Sequence, residues 1–146
     1  FKILLPVAEE IPIEEKNKAI YDQKGNETVL LVDDEEQLLK IETKILEHLG
    51  YKVISFSDSE DALIYFSQNY SNIDLVITDM TMPKINGKEL SEKMILINNE
   101  TLIIICTGFN QKMDSEKALN IGVKKYIEKP FDIKQLSVII REVLDN

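Results

Sequence analysis

The chain has 146 residues, 44% of them hydrophobic, enough to build one domain with a proper core and too apolar for general disorder. Its net charge of −9 argues against a chain that itself grips nucleic acid, which needs a basic stripe. The single cysteine, Cys106, rules out an internal disulfide, and no apolar run approaches the length that spans a bilayer.

Residues 1–27 differ in composition from the rest. Phe1-Lys2-Ile3-Leu4-Leu5-Pro6-Val7 has the pattern of a strand stopped at proline. Glu9-Glu10, Glu14-Glu15 and the polar run Gln23 to Glu27 follow, which is linker composition, with a short helix between Ile13 and Tyr21. No signal peptide is visible, and a chain that starts at Phe1 is expected to be a fragment.

From Thr28 onward, strands and helices alternate. Val29–Val32 reads as the first strand. Leu38, Ile41, Ile45 and Leu49 recur at helical spacing, and Gly50 is placed to end that helix. Lys52–Phe56 is the second strand. Ser57 with Glu60 has capping-box spacing and opens a helix through Tyr70. Asp74–Thr78 is the third strand, followed by a loop with Pro83 and Gly87, then a helix over 87–97. Leu102–Cys106 is the fourth strand, and a fourth helix over about 112–121 ends at Gly122. Lys124–Ile127 is the fifth strand. Asp132 caps the last helix, whose apolar face is Ile133, Leu136, Ile140 and Val143. The central strands are unbroken Val/Ile/Leu runs, as expected for strands buried on both faces. With right-handed crossovers this predicts a doubly wound α/β sandwich of five strands and five helices.

Ligands bind such a sheet at the C-terminal strand ends. That edge should gather Asp33 and Asp34 after the first strand, Asp79 after the third, Thr107 after the fourth and Lys129 after the fifth. Adjacent carboxylates repel unless a cation lies between them, and Mg²⁺ takes oxygen ligands. Asp33-Asp34-Glu35 could equally do no more than favour a helix N-terminus, and Asp79 tips the balance toward metal. Asp79 could be both a ligand and a nucleophile, since carboxylates form acyl phosphates. The Thr81 backbone carbonyl could complete the metal shell. Lys129 could hold a phosphate oxygen, and the Thr107 hydroxyl could donate to one, with Gly108 leaving room for the donor.

This pattern resembles the receiver domain of two-component response regulators. The resemblance runs from about Glu27 to Asp145 and rests on four fragments in order: Val-Asp-Asp-Glu, Ile-Thr-Asp-Met-Thr-Met-Pro with Asn86-Gly87, Cys-Thr-Gly, and Lys-Lys-Tyr-Ile-Glu-Lys-Pro-Phe. It implies a flavodoxin-like fold with strand order 2-1-3-4-5. It also implies that Asp79 takes a phosphoryl group from a phosphohistidine, on a histidine kinase core or a histidine phosphotransfer protein. Asp34, Asp79 and the Thr81 carbonyl would bind Mg²⁺, with Asp33 helping through water. Lys129 and Thr107 would contact the phosphoryl oxygens. Tyr126 would be the switch aromatic, turning inward as Thr107 moves, and the bond before Pro130 would be cis. Such a domain catalyses only its own phosphorylation and dephosphorylation, and it is expected to be cytoplasmic with no membrane contact of its own.

Phe1–Pro6 resembles the last strand of a histidine-kinase ATP-binding domain. Residues 1–27 are then the end of that domain plus an acidic linker, and 28–146 the receiver of a hybrid histidine kinase. Lys124-Lys125 stands where DNA-binding regulators that dimerise through this face often carry an acidic pair, which speaks against such a dimer. The alternatives are a stand-alone or transcriptional regulator and an aspartyl-nucleophile phosphatase. The phosphatases usually carry Asp-x-Asp after strand one, where this chain has Asp33-Asp34. His48 reads as a partner of its helix's C-terminal dipole. Met80 and Met82 read as packing for the site loop. Phe109 is either an exposed partner anchor or a residue folded back on the fourth helix.

Overall fold

The computed structural model describes residues 25–108, 122–129 and 132–145. Five parallel strands form one sheet in the order β2-β1-β3-β4-β5. They are β1 (Thr28–Val32), β2 (Lys52–Phe56), β3 (Leu75–Asp79), β4 (Ile103–Thr107) and β5 (Lys125–Glu128). The helices are α1 (Glu36–His48), α2 (Ser59–Asn69), α3 (Gly87–Ile97) and α4 (Ile133–Asp145), with a 3₁₀ turn at Tyr70–Asn72. The helix expected over 112–121 lies outside the described residues, so α4 is the fifth helix of the sequence reading. The strand at Phe1–Pro6, the helix at 13–21, Phe109 and Pro130 with its preceding bond also lie outside them.

Every strand of the sheet's interior contributes to two cores, because alternate side chains leave opposite faces. Val29, Leu31, Leu75, Ile77, Ile104 and Cys106 meet Leu39 and Leu46 of α1 and Leu136, Ile140 and Val143 of α4 on one face. Leu30, Val32, Val76, Ile103 and Ile105 meet Ala62 and Phe66 of α2 and Leu90 and Met94 of α3 on the other. Both faces are covered by helices, which is the doubly wound sandwich the unbroken apolar strands predict.

The helix ends follow ordinary capping chemistry, with one change. Asp58, not Ser57, caps α2: its carboxylate accepts from the N–H groups of Glu60 and Asp61. Ser57 stands at the end of β2, one residue too early to reach those donors. Asn86 accepts from Glu89 N–H at the start of α3. Asp132 and Gln135 exchange a reciprocal pair before α4. Gly50 follows α1 in the left-handed region, φ 96°, where a side chain would be strained.

The buried face of α1 is also one residue away from the expected one. Leu39, Glu42 and Leu46 are buried, whereas Ile41 is 55% exposed. A stripe through Leu39, Leu46 and Leu49 faces the sheet, and the acidic residue in its middle hides it from a reading that follows only apolar residues.

An ion-pair cluster closes the opposite end of the domain. Arg141 of α4 donates to both Glu27 oxygens, at 3.0 and 3.1 Å, to Tyr51 at 3.4 Å, and to Asp145. Partial burial works against the Glu27 charge. Hydrogen bonds from Arg141 and from backbone N–H groups outweigh it, so its pKa lies below the ordinary glutamate value. A depressed carboxylate contributes stability above its unfolded pKa and loses it as pH falls through the folded one. Glu27→Gln should therefore cost about 1 kcal/mol at neutral pH, allowing for solvent screening at the rim. In urea titrations, the gap to the wild type should close as pH falls through and below 4.5, the ordinary glutamate value.

Candidate metal and phosphoryl site

The site forms where β1 and β3 end side by side. Val32 pairs with Thr78 in parallel register, so the chain emerges from both strands at one edge. Side-chain alternation continues past the strands. Asp33 follows Leu31 and Asp79 follows Ile77 onto the face that α1 covers, one step beyond the apolar core. Asp33 is 1% exposed, and Asp34 and Asp79 are half-buried. One carboxylate oxygen from each of the three lies within 4.8 Å of the others.

Lys129 reaches this cluster from the end of β5. Its Nζ lies 3.1 Å from Asp33 Oδ2 and 3.3 Å from Asp79 Oδ1. Its own N–H donates to the Thr107 carbonyl at 2.8 Å, which fixes where the side chain starts. Asp33 Oδ1 accepts from Glu35 N–H at 3.0 Å, and Asp33 N–H donates to Phe56 at 3.2 Å. Asp33 is thus held by β2, by the start of α1 and by Lys129.

The electrostatics follow from crowding. Burial pushes the Asp79 carboxyl up, Lys129 pulls it back and Asp33 pushes it up again, leaving it above the ordinary aspartate value. Burial alone would lower the Lys129 pKa, but Asp79, Asp33 and Glu42 hold it well above the usual lysine range. Burial also pushes the Cys106 thiol up, so this cysteine is an inert apolar residue under the site.

Glu42 is a fourth carboxyl that the sequence reading missed. It projects from α1 with 6% exposure. Burial, followed by the neighbouring Asp33 carboxyl, pushes its pKa up. The signal lay in the sequence as an acidic residue at the i+3 position from Leu39 and four before Leu46.

The remaining expected residues have definite places. Thr107 ends β4, is buried, and is followed by partly exposed Gly108. Tyr126 is opposite Ile105 in β5 and packs partly buried against the α2–α3 core. Thr81 lies exposed on the loop after β3, between buried Met80 and Met82, which pack that loop as expected. Lys84 holds the far side of the loop, with φ 67° and an ion pair to Asp58 at 2.8 Å. His48 lies exposed in the last turn of α1.

Three hard carboxylate oxygens suit Mg²⁺ by type. Oxygens in an octahedron about that ion stand roughly 3–4.2 Å apart, so the observed cluster needs little closing. The residues present therefore fit the ion.

A receiver-domain model, described as the response regulator receiver domain, matches residues 29–141. The chain belongs to the response-regulator receiver family. It is 37% identical over 130 residues to a probable transcriptional regulator, ycf27, of Guillardia theta, covering 88% of this chain and 50% of that protein. The chain thus spans about half the length of the curated relatives it matches. A response regulator receiver domain protein from Clostridium thermocellum superimposes with TM-score 0.79 at 32% identity, covering 82% of this chain and 94% of that one. The Borrelia burgdorferi CheX–CheY–BeF3–Mg²⁺ complex gives a match at TM-score 0.76 and 29% identity, covering 80% of this receiver and 88% of the matched chain. Among the described residues of this receiver, no helix is long and apolar enough to cross a membrane.

Gly87 supports the Asp79 loop by what it lacks. Its N–H donates to the Met80 carbonyl at 2.8 Å, and a Cβ there would lie 2.3 Å from the Asp79 carbonyl oxygen. Backbone cannot yield as a flexible side chain does. Gly87→Ala should destabilise the domain by about 1–3 kcal/mol in denaturant unfolding, although alanine is intrinsically the better helix former. A stabilised variant would show that α3 and the Asp79 loop do not press together this closely.

Proposed function

We propose that this chain is a phosphoacceptor switch in a two-component phosphorelay, with Asp79 as acceptor. The observation that carries this reading is the half-buried Asp79 carboxylate, with Asp33 and Asp34 beside it and Lys129 at 3.3 Å. Asp33, Asp34, Asp79 and the Thr81 carbonyl are the proposed holders of Mg²⁺. The ion supplies charge neutralisation between the carboxylates and an incoming phosphoryl group.

The residues of the chain do the rest. An Asp79 carboxylate oxygen attacks phosphorus in line with the imidazole nitrogen of a phosphohistidine. The new C–O–P linkage forms as the P–N bond breaks, and the imidazole leaves with the bonding pair and takes up a proton. Lys129 supplies a fixed positive charge to a phosphoryl oxygen and the Thr107 hydroxyl a hydrogen bond. Burial of Asp33 and Thr107 keeps water from the inner side. The donor approaches over Gly108. Movement of Thr107 toward the phosphoryl group, with Tyr126 following, then biases the face made by the fourth helix of the sequence reading, β5 and α4.

The phosphodonor is a histidine kinase core or a histidine phosphotransfer protein, in the cytoplasm. The likeness to a probable transcriptional regulator supports a stand-alone or transcriptional response regulator as the parent, with output carried by a further domain. A hybrid histidine kinase is the second reading, and two observations favour it. Phe1–Pro6 with the acidic linker has the pattern of a kinase domain end. Lys124-Lys125 stands in place of an acidic pair, and Lys125 is engaged within its own chain, 3.4 Å from Glu142. In either context the receiver itself binds no nucleic acid, in keeping with its net charge of −9.

Intact mass after incubation with Mg²⁺ and a small acyl-phosphate donor tests the site. The wild type should gain one phosphoryl group and Asp79→Ala none. Equal incorporation by Asp79→Ala would sink the assignment. So would a folded wild type that gains nothing from either the small donor or a phosphohistidine protein.

A further inference from the structure

The loop between β3 and α3 is fixed at both ends by one residue. Met80 N–H donates to the Cys106 carbonyl at 2.9 Å, and the Met80 carbonyl accepts from Gly87 N–H at 2.8 Å. Between these two bonds the chain leaves the sheet edge at Thr81 and returns at Asn86. It bends sharply at Lys84, where φ is 67° and Ile85 N–H donates back to the Pro83 carbonyl at 2.8 Å. A turn closed by that bond about a residue of positive φ is the rare, strained form of the γ-turn. Such backbone persists only where its surroundings hold it.

The start of α2 supplies that hold. Asp58 divides its carboxylate between two tasks. Its Oδ1 accepts from the N–H groups of Glu60 and Asp61 and caps the helix, and its Oδ2 lies 2.8 Å from Lys84 Nζ. Glu60 Oε1 stands 3.6 Å from the same ammonium. Ser59 Oγ donates to the Pro83 carbonyl at 3.3 Å. Glycine would adopt the Lys84 backbone at no steric cost, and an exposed ion pair returns little to fold stability. What the lysine adds is an attachment of the loop to the first turn of α2.

We propose that Lys84 and Asp58 are positioning residues, a clamp that holds the loop, and with it the Thr81 carbonyl, in place for Mg²⁺. This rests on the reading of Asp33, Asp34, Asp79 and the Thr81 carbonyl as the site of that ion. Both residues act through the loop and touch no reacting atom. Such an attachment passes to the site no more than its own coupling, which for an exposed pair is about a few-fold in affinity.

The test is calorimetric Mg²⁺ titration of the wild type, Lys84→Met, Asp58→Asn and the double variant, with thermal midpoints recorded without the ion. Methionine keeps the apolar stem and removes the charge. Asparagine keeps the cap on α2 and removes the carboxylate that faces Lys84. Each single variant should bind Mg²⁺ about threefold more weakly, and the double variant no more weakly than either, because both changes break the same clamp. The sign for Lys84→Met separates positioning from charge alone. Charge acting at a distance would make loss of an ammonium tighten cation binding and loss of a carboxylate weaken it. Tighter binding in Lys84→Met, wild-type affinity in either single variant, or losses that multiply in the double variant overturn the proposal. Midpoints should stay level, and an affinity loss that appears only with a lowered midpoint overturns it too. Absence of Mg²⁺ binding in the wild type overturns the metal-site reading itself, a different failure seen before any variant is compared.

Discussion

Like charges held together by one ammonium set the terms for the rest of this structure. Asp33, Asp34 and Asp79 crowd one corner of the sheet, and Lys129 stands 3.1 and 3.3 Å from two of them. Among the described residues one ammonium, Lys129, faces these three carboxylates, so that part of the corner carries an excess of negative charge. The fold tolerates it because the apolar layers on both faces of the sheet are nearly complete and supply the stability that the corner subtracts. On the proposed reading that excess is what draws in the divalent ion.

The same corner depends on the geometry of the sheet. Parallel register puts the ends of β1 and β3 side by side, and the two-residue period sends Asp33 and Asp79 to the same face. Lys129 is placed by a backbone bond to Thr107, which belongs to the strand between its own and that of Asp79. Any displacement of the β4 end therefore reaches both Thr107 and Lys129. This is the physical link the proposed switch would use: Thr107 and Lys129, the groups proposed to contact a phosphoryl group, and Tyr126 lie on or at the ends of adjacent paired strands, so a shift at one has a bonded route to the others.

Much of this was legible because strands buried on both faces write themselves as unbroken apolar runs, and the polar residue that ends each run stands out. Asp33, Asp79, Thr107 and Lys129 were all visible in that way, and the structure brings Asp33, Asp34, Asp79 and Lys129 into one cluster. Strand limits moved by one residue, since Asp79 and Thr107 still carry extended backbone. The α1 face and the α2 cap were less legible for a common reason. Apolar periodicity favours Ile41 over Glu42, and capping-box spacing favours Ser57 over Asp58, but both outcomes are decided by neighbours distant in sequence or by a donor direction that spacing does not encode. The closeness of Gly87 to the Asp79 carbonyl is equally invisible, because it depends on how α3 returns to the sheet.

Glu42 shows how such a failure arises. A rule that hydrophobic residues face the core holds wherever stability is the only demand. Along α1, Leu39 and Leu46 obey it and Glu42 between them does not. Nothing else along the buried face of α1 is charged, so the departure is confined to one turn of that helix.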